Sequence, residues 1–148
     1  MSNVKKSIFI AVPVDKFGAY AKNPKDWPQW YVHLSGPDEL EGDGGAGTQA
    51  EFKYSMLGIH LPVTIKVVEC NTSPEKHYWR GIVEGGIAAT QTMTAIAKDG
   101  GSEATLEIEY TIPGNILGKI ADALILEKIQ ENATMATLEN LKAICEAL

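Results

Sequence analysis

Two cysteines, Cys70 and Cys145, are all that this chain of 148 residues carries. That is too few for a disulfide framework, and the two are not spaced as a metal motif. Both are expected to be reduced and buried or partly buried, as in a cytoplasmic protein. Histidine is equally sparse: His33, His60 and His77 are scattered, without the HxH or HExxH spacing of a metal site. No metal and no cofactor is expected. No window approaches the roughly 18 to 20 apolar residues needed to span a bilayer. The opening Met1-Ser2-Asn3-Val4-Lys5-Lys6 leads into a β-like run and lacks the apolar core and cleavage site of a signal peptide. Positive charge is in deficit, with 13 basic against 19 acidic residues and a net charge of −6. Lys5-Lys6 is the only basic cluster, which argues against a nucleic-acid partner. The glycines at 42–47 are not followed by Lys-Ser/Thr, so they do not form a nucleotide loop. No Ser or Cys sits in a nucleophile motif such as GxSxG.

What is present is the composition of a globular domain, 45% hydrophobic and 22% charged. The length suits one domain over residues 1–148. Lys6, Ile8, Ile10 and Val12 alternate with Ser7, Phe9 and Ala11 to give a first strand. Residues 15–21 read as a short helix, and residues 25–30 as a second helix or turn broken by Pro28. Neither is long enough to be stable alone, so both must pack on a sheet. From Tyr31 the pattern is β: weakly over 34–40, then clearly over 49–57, 61–70, 76–84, 87–97 and 103–112. After Gly118 no further Pro or Gly occurs, and a helical stretch runs to Leu148. The fold class is therefore α+β, an antiparallel meander with one wet face and one face covered by the closing helix. A helix laid across a curved sheet tends to leave a cavity.

Three segments carry a resemblance. Ser7-Ile8-Phe9-Ile10-Ala11-Val12-Pro13-Val14-Asp15-Lys16-Phe17 is similar to an I-x-A-P-x-E-x-V-W opening. Asn23-Pro24-Lys25-Asp26-Trp27-Pro28-Gln29-Trp30 is similar to a D-x-x-x-x-P-x-W continuation. Tyr110-Thr111-Ile112-Pro113-Gly114-Asn115-Ile116-Leu117-Gly118, with Leu138-Glu139-Asn140-Leu141-Lys142, is similar to the entry and tail of a closing helix. Together they resemble the START-like, helix-grip (SRPBCC) superfamily, nearest its polyketide cyclase/dehydrase-like branch. The resemblance implies a curved seven-stranded antiparallel sheet, two short helices, and a long C-terminal helix over a mostly apolar cavity. Relatives bind lipids, isoprenoids, polyketides or other hydrophobic molecules. Some are cyclases, some are carriers, and one branch activates a chaperone ATPase. The fold is better specified than the function.

The sheet face bearing Phe52, Tyr54, Met56, Leu106, Ile108 and Tyr110 is expected to be the concave one. A turn at Gly85-Gly86 sets Arg80 beside Gln91 and Tyr78 beside Met93, and a turn at Asp99-Gly100-Gly101 sets Gln91 near Tyr110. In that register Tyr78 and Arg80 face inward, where Arg80 either anchors a ligand carboxylate, phosphate or carbonyl or pairs at the rim. A one-residue slip sends His77 and Trp79 inward instead. On the closing helix, Thr134, Leu138, Leu141, Cys145 and Leu148 share a face. Extended backwards, that face meets Glu131 and Glu127. Either the helix breaks near 123–126, or these carboxylates point toward the sheet as candidate acids and bases. A second stripe, Ile125, Ile129, Ala133 and Ala136, packs on the short helices or makes a homodimer. The candidate ligand-binding residues are Trp30, Phe52, Tyr54, Met56, Tyr78, Arg80, Gln91, Met93, Ile108, Tyr110, Leu117, Leu124 and Glu131. Trp27 is expected in the core. The leading functional reading is binding of one small hydrophobic ligand. A polyketide cyclase/aromatase or dehydratase comes second, and a protein-interaction module with a collapsed cavity third.

Overall fold

The computed structural model describes residues 2–111, 114 and 123–148. Seven strands form one antiparallel sheet: β1 (Ser2–Ile10), β2 (Leu34–Glu41), β3 (Gln49–Met56), β4 (Ile59–Thr72), β5 (Lys76–Gly85), β6 (Ala88–Lys98) and β7 (Gly101–Thr111). Their order across the sheet is β1-β7-β6-β5-β4-β3-β2. All pairs but one are sequence neighbours; the exception sets β1 against β7, from Ser2 opposite Tyr110 to Ile10 opposite Ser102. Helices α1 (Val14–Ala21) and α2 (Trp27–Trp30) carry the chain from one sheet edge to the other. Helix α3 (Ala123–Glu146) closes the covered face. This is the helix-grip architecture that the alternation and the three motifs imply.

Local chemistry explains the short helices. Val14, Phe17, Gly18 and Ala21 recur at helical spacing and are the buried residues of α1. A Cβ on Gly18 would lie 2.7 Å from His77 Nδ1 and 2.8 Å from Thr72 Cγ2, so a glycine is required for α1 to sit this close to β4 and β5. Pro28 does not break the second helix as expected. It lies in the first turn of α2, where its missing N–H would have no intrahelical partner anyway. The Trp27 indole donates to the Ala21 carbonyl (2.9 Å) and its ring stacks on Phe52, tying both helices to the sheet.

The β5–β6 hairpin differs from the expected register by one residue. Arg80 stands opposite Thr92, Trp79 opposite Met93, and Gly81 opposite Gln91. The cause lies in the turn. Ile87 is buried with Met56, Leu61 and Leu126, so it leaves the strand to join an apolar cluster. Gly85 takes a φ of +110°, and the Gly86 N–H bonds to the Pro62 carbonyl. The connection thus takes one residue more than a Gly-Gly pair, and every side chain of β5 changes face. At the next hairpin, Asp99 and Gly100 both have positive φ, the signature of a two-residue primed turn. Gln91 therefore sits opposite Ile108, and Tyr110 opposite Ala89.

Helix α3 is continuous from Ala123, so no break falls within 124–126; a junction ahead of it lies outside the described residues. Its buried face is Leu126, Gln130, Thr134, Thr137, Leu138, Leu141 and Cys145. The backward step from Thr134 is four residues rather than three, which replaces Glu131 and Glu127 with Gln130 and Leu126. Glu127 is exposed and Glu131 half-buried, at the flank of that face. Of the second stripe, Ile125 is exposed and Ile129, Ala133 and Ala136 are half-buried.

Candidate functional site

Between the concave sheet face and α3 lies an apolar cavity with polar points. Its walls are Leu34, Met56, Val63, Ile65, Val83, Ile87, Ala89 and Ile108, with Tyr31, Tyr54, Gln91, Tyr110 and Gln130 supplying the polar atoms. About 510 Å³ of non-atom space lies within these walls and the mouth. Of this, about 40 Å³ admits the centre of a water-sized sphere. On that measure one water needs on the order of 10–15 Å³. The cavity is thus narrow, with free room for a few waters. An inner extension of about 20 Å³ continues past Tyr31, Leu34, Ile65 and Gln91 to Trp27, Trp30, His77, Trp79, Met93 and Leu106. On the outer side, Tyr54, Met56 and Gln130 are shared with an open depression of about 160 Å³ that also touches His33, Leu57 and Ile129. Those three shared side chains stand between the cavity and solvent.

The polar points are neutral and paired. Gln91 Nε2 donates to the Tyr31 hydroxyl at 2.6 Å. The Tyr54 phenol is hydrogen-bonded to the Gln130 side chain, and the Tyr110 phenol to the Ser2 side chain. Burial is the main force raising the pKa of Tyr31, with Tyr54 adding to it. Burial likewise raises Tyr54 and Tyr110, and the carboxylates of Glu127 and Glu131 push Tyr110 further up. All three phenols stay protonated and able to donate. Among the described residues no carboxylate, lysine or arginine lines either compartment. His77, at the inner end, is pushed down to about 4 by burial and is a neutral imidazole at ordinary pH, with Nδ1 2.7 Å from Thr72 Oγ1.

The structure brings some sequence-predicted residues together and separates others. Tyr54, Met56, Gln91, Ile108 and Tyr110 line the outer cavity, and Trp30 and Met93 the inner one. Phe52 is buried against Trp27 and lines neither. Tyr78 and Arg80 are corrected: the one-residue register change puts both on the outer face, Arg80 exposed and Tyr78 half-buried. Leu124 is 72% exposed, because the buried face of α3 begins at Leu126. Glu131 flanks the cavity without lining it, and Gln130 takes its place. Leu117 lies outside the described residues. Tyr31 and Gln130 are the polar residues of the outer lining that sequence reasoning missed, along with the apolar Leu34, Val63, Ile65, Val83, Ile87 and Ala89. Tyr31 follows α2 and belongs to no periodic element, so only its place beside Trp30 could have marked it. Among the described residues no group of three His, Cys, Asp or Glu side chains could hold a metal. No helix among them is long and apolar enough to cross a membrane.

Comparison with solved structures gives the same architecture. The chain is similar to TTHA0849 from Thermus thermophilus (18% identity, TM-score 0.76), covering 99% of this chain and 98% of that one. It is similar to the Zhui aromatase/cyclase from a Streptomyces species (14% identity, TM-score 0.72), covering 98% and 93%. It is also similar to Ara h 8.0201 (14% identity, TM-score 0.68), covering 99% of both chains. At these identities the likeness concerns the fold. No curated protein matches the sequence. A family model described as polyketide cyclase / dehydrase and lipid transport matches residues 1–146. The chain belongs to that family, within the helix-grip superfamily.

Proposed function

We propose that the protein binds one small hydrophobic molecule of the polyketide, isoprenoid or lipid kind between its sheet and α3. The observation that carries this reading is the cavity itself: apolar walls, with uncharged phenol and amide groups as its polar points. Such a surface favours an apolar body bearing neutral oxygens and disfavours a free carboxylate or phosphate, which would be buried without a counter-charge. The ligand enters past Tyr54, Met56 and Gln130. Met56 is an unbranched side chain that can repack, so the narrow cavity can widen there. The two free thiols, Cys70 and Cys145, accord with a cytoplasmic setting.

A second reading, cyclisation or dehydration of a polyketide-like substrate, is favoured by the Tyr31–Gln91 pair. A protonated phenol held at 2.6 Å by an amide is placed to polarise a substrate carbonyl. A thermal-shift screen with quinones, flavonoids, aromatic polyketides and fatty acids tests the binding reading. A ligand at 100 times its Kd should add about 2.7 kcal/mol and raise Tm by several degrees. Gln91→Leu should lower the affinity of a hit and leave the fold intact. If no probe raises Tm and no apolar molecule co-purifies in native mass spectrometry, the binding reading fails and an interaction module takes its place. For the second reading, Tyr31→Phe should abolish product formation while ligand still binds; retained turnover removes Tyr31 from the chemistry.

A further inference from the structure

Trp30 and Trp79 are 6% and 8% exposed, and their indole Nε1 atoms are buried without a hydrogen-bond partner among the described residues. Both residues line the inner extension of the cavity. Orphaned buried N–H groups are rare in folded proteins, and each costs its desolvation without return. The third tryptophan shows the ordinary solution: Trp27 Nε1 donates to the Ala21 carbonyl at 2.9 Å. The Tyr31 hydroxyl, at the junction of the two compartments, accepts from Gln91, which leaves its own proton to donate. Among the described residues, the inner end of the cavity thus carries two indole donors that neither the Gln91 carbonyl nor His77 satisfies.

We infer that the inner compartment is an acceptor-recognition subsite: it takes a neutral ligand oxygen, a ketone or quinone carbonyl, on the indole N–H groups of Trp30 and Trp79. This rests on the binding reading above and deepens it by naming the end of the ligand that enters first. The bulk of the molecule stays in the apolar outer cavity, and the carbonyl leads into the tryptophan end. A pure hydrocarbon gains nothing from those donors. A carboxylate would meet no cation there among the described residues.

The experiment uses two probes of nearly the same shape, 2-acetylnaphthalene and 2-isopropenylnaphthalene, which differ in having a carbonyl oxygen or a methylene group. Affinities are measured by equilibrium dialysis, and the tryptophan Nε1–H resonances are followed in ¹⁵N-labelled protein. The ketone should bind about tenfold or more tighter than the alkene, and should shift the Trp30 and Trp79 indole signals but not that of Trp27. In a Trp30→Phe/Trp79→Phe variant the preference for the ketone over the alkene should vanish, whatever the absolute affinities. Equal binding of both probes to the wild type, or an unchanged preference in the variant, overturns the subsite and leaves hydrophobic binding standing. Failure of both probes to bind overturns the subsite, and the thermal-shift screen with native mass spectrometry decides separately whether the binding reading stands. If the double variant does not fold, the wild-type preference and the identity of the shifted indole signals decide the matter.

Discussion

The two ends of α3 are held differently. At the C-terminal end, Leu138, Leu141 and Cys145 are completely buried in the main core. Hydrogen bonds hold this end as well. Asn140 Nδ2 donates to the Trp30 carbonyl, Lys142 Nζ to the Phe9 carbonyl, and the Ala11 N–H to Glu146 Oε2. Near Ala123, among the described residues, fewer side chains of the helix are buried. Leu124 and Ile125 are exposed, and Leu126 joins a small cluster of Met56, Leu61 and Ile87, separate among the described residues from the main core. The cavity mouth lies at this second end, beside Met56 and Gln130. Among the described residues, the densest burial thus lies at one end of the helix and the proposed ligand entry at the other. The dense end fixes the grip, and the sparse end leaves side chains that can move aside without unfolding the sheet.

The largest expected effect tests that division directly. Leu141→Ala should cost about 2–5 kcal/mol, since a fully buried leucine leaves a void in a packed core. Leu126→Ala should cost about 2 kcal/mol or less, because a small cluster beside a cavity relaxes more easily. It should also change probe affinity, which Leu141→Ala should leave alone. Urea midpoints and dialysis on both variants check this. Equal losses of stability, or an affinity change at Leu141, would erase the distinction between the ends.

His77, buried under α1 at the inner end of the cavity, gives a second test of the core. It packs edge-on against Phe17 (5.7 Å) beneath Gly18, and burial pushes its pKa from 6.5 down to about 4. The unfolded chain therefore takes up a proton below pH 6.5 that the folded protein refuses. The stability this group contributes is fully present above 6.5 and is lost as pH falls toward 4. Between pH 7 and 4.5 the loss should be on the order of 2 kcal/mol. The carboxylates titrate in the same range, so the measurement is the difference between wild type and His77→Gln at both pH values. The variant should be less stable at pH 7 and should lose less on acidification. Parallel losses would mean that His77 is protonated in the fold.

The architecture was legible because its signals are redundant. Period-2 alternation, Gly and Asp turns and two helices too short to stand alone all point to one sheet under one helix. The candidate site was legible only where parity did not depend on a single turn. Tyr54, Met56, Ile108 and Tyr110 sit on strands whose faces alternate clearly, and they face inward. Tyr78 and Arg80 depended on whether Gly85-Gly86 or a longer segment makes the turn. The burial of Ile87 decides that, and no local pattern declares it. On α3 the choice between Glu131 and Gln130 was a step of three or four residues back from Thr134. Helical periodicity permits either step, and packing against Tyr54 selects the second. Only a long-range contact fixes each of these choices.

Arg80 supplies the smallest effect and the cleanest contrast with the cavity. It stands on β5 between Trp79 and Gly81, both buried, yet its own side chain is exposed on the opposite face. An exposed arginine away from buried partners contributes within about 0.5 kcal/mol of stability. Arg80→Ala should therefore leave Tm and probe affinity unchanged, while Gln91→Leu, facing inward near the same pair of strands, lowers affinity. The two variants separate an inward from an outward residue on neighbouring strands. A marked loss of ligand affinity in Arg80→Ala would require β5 to be turned over. That would bring back the register in which the Arg80 guanidinium, rather than the Trp79 indole, faces inward.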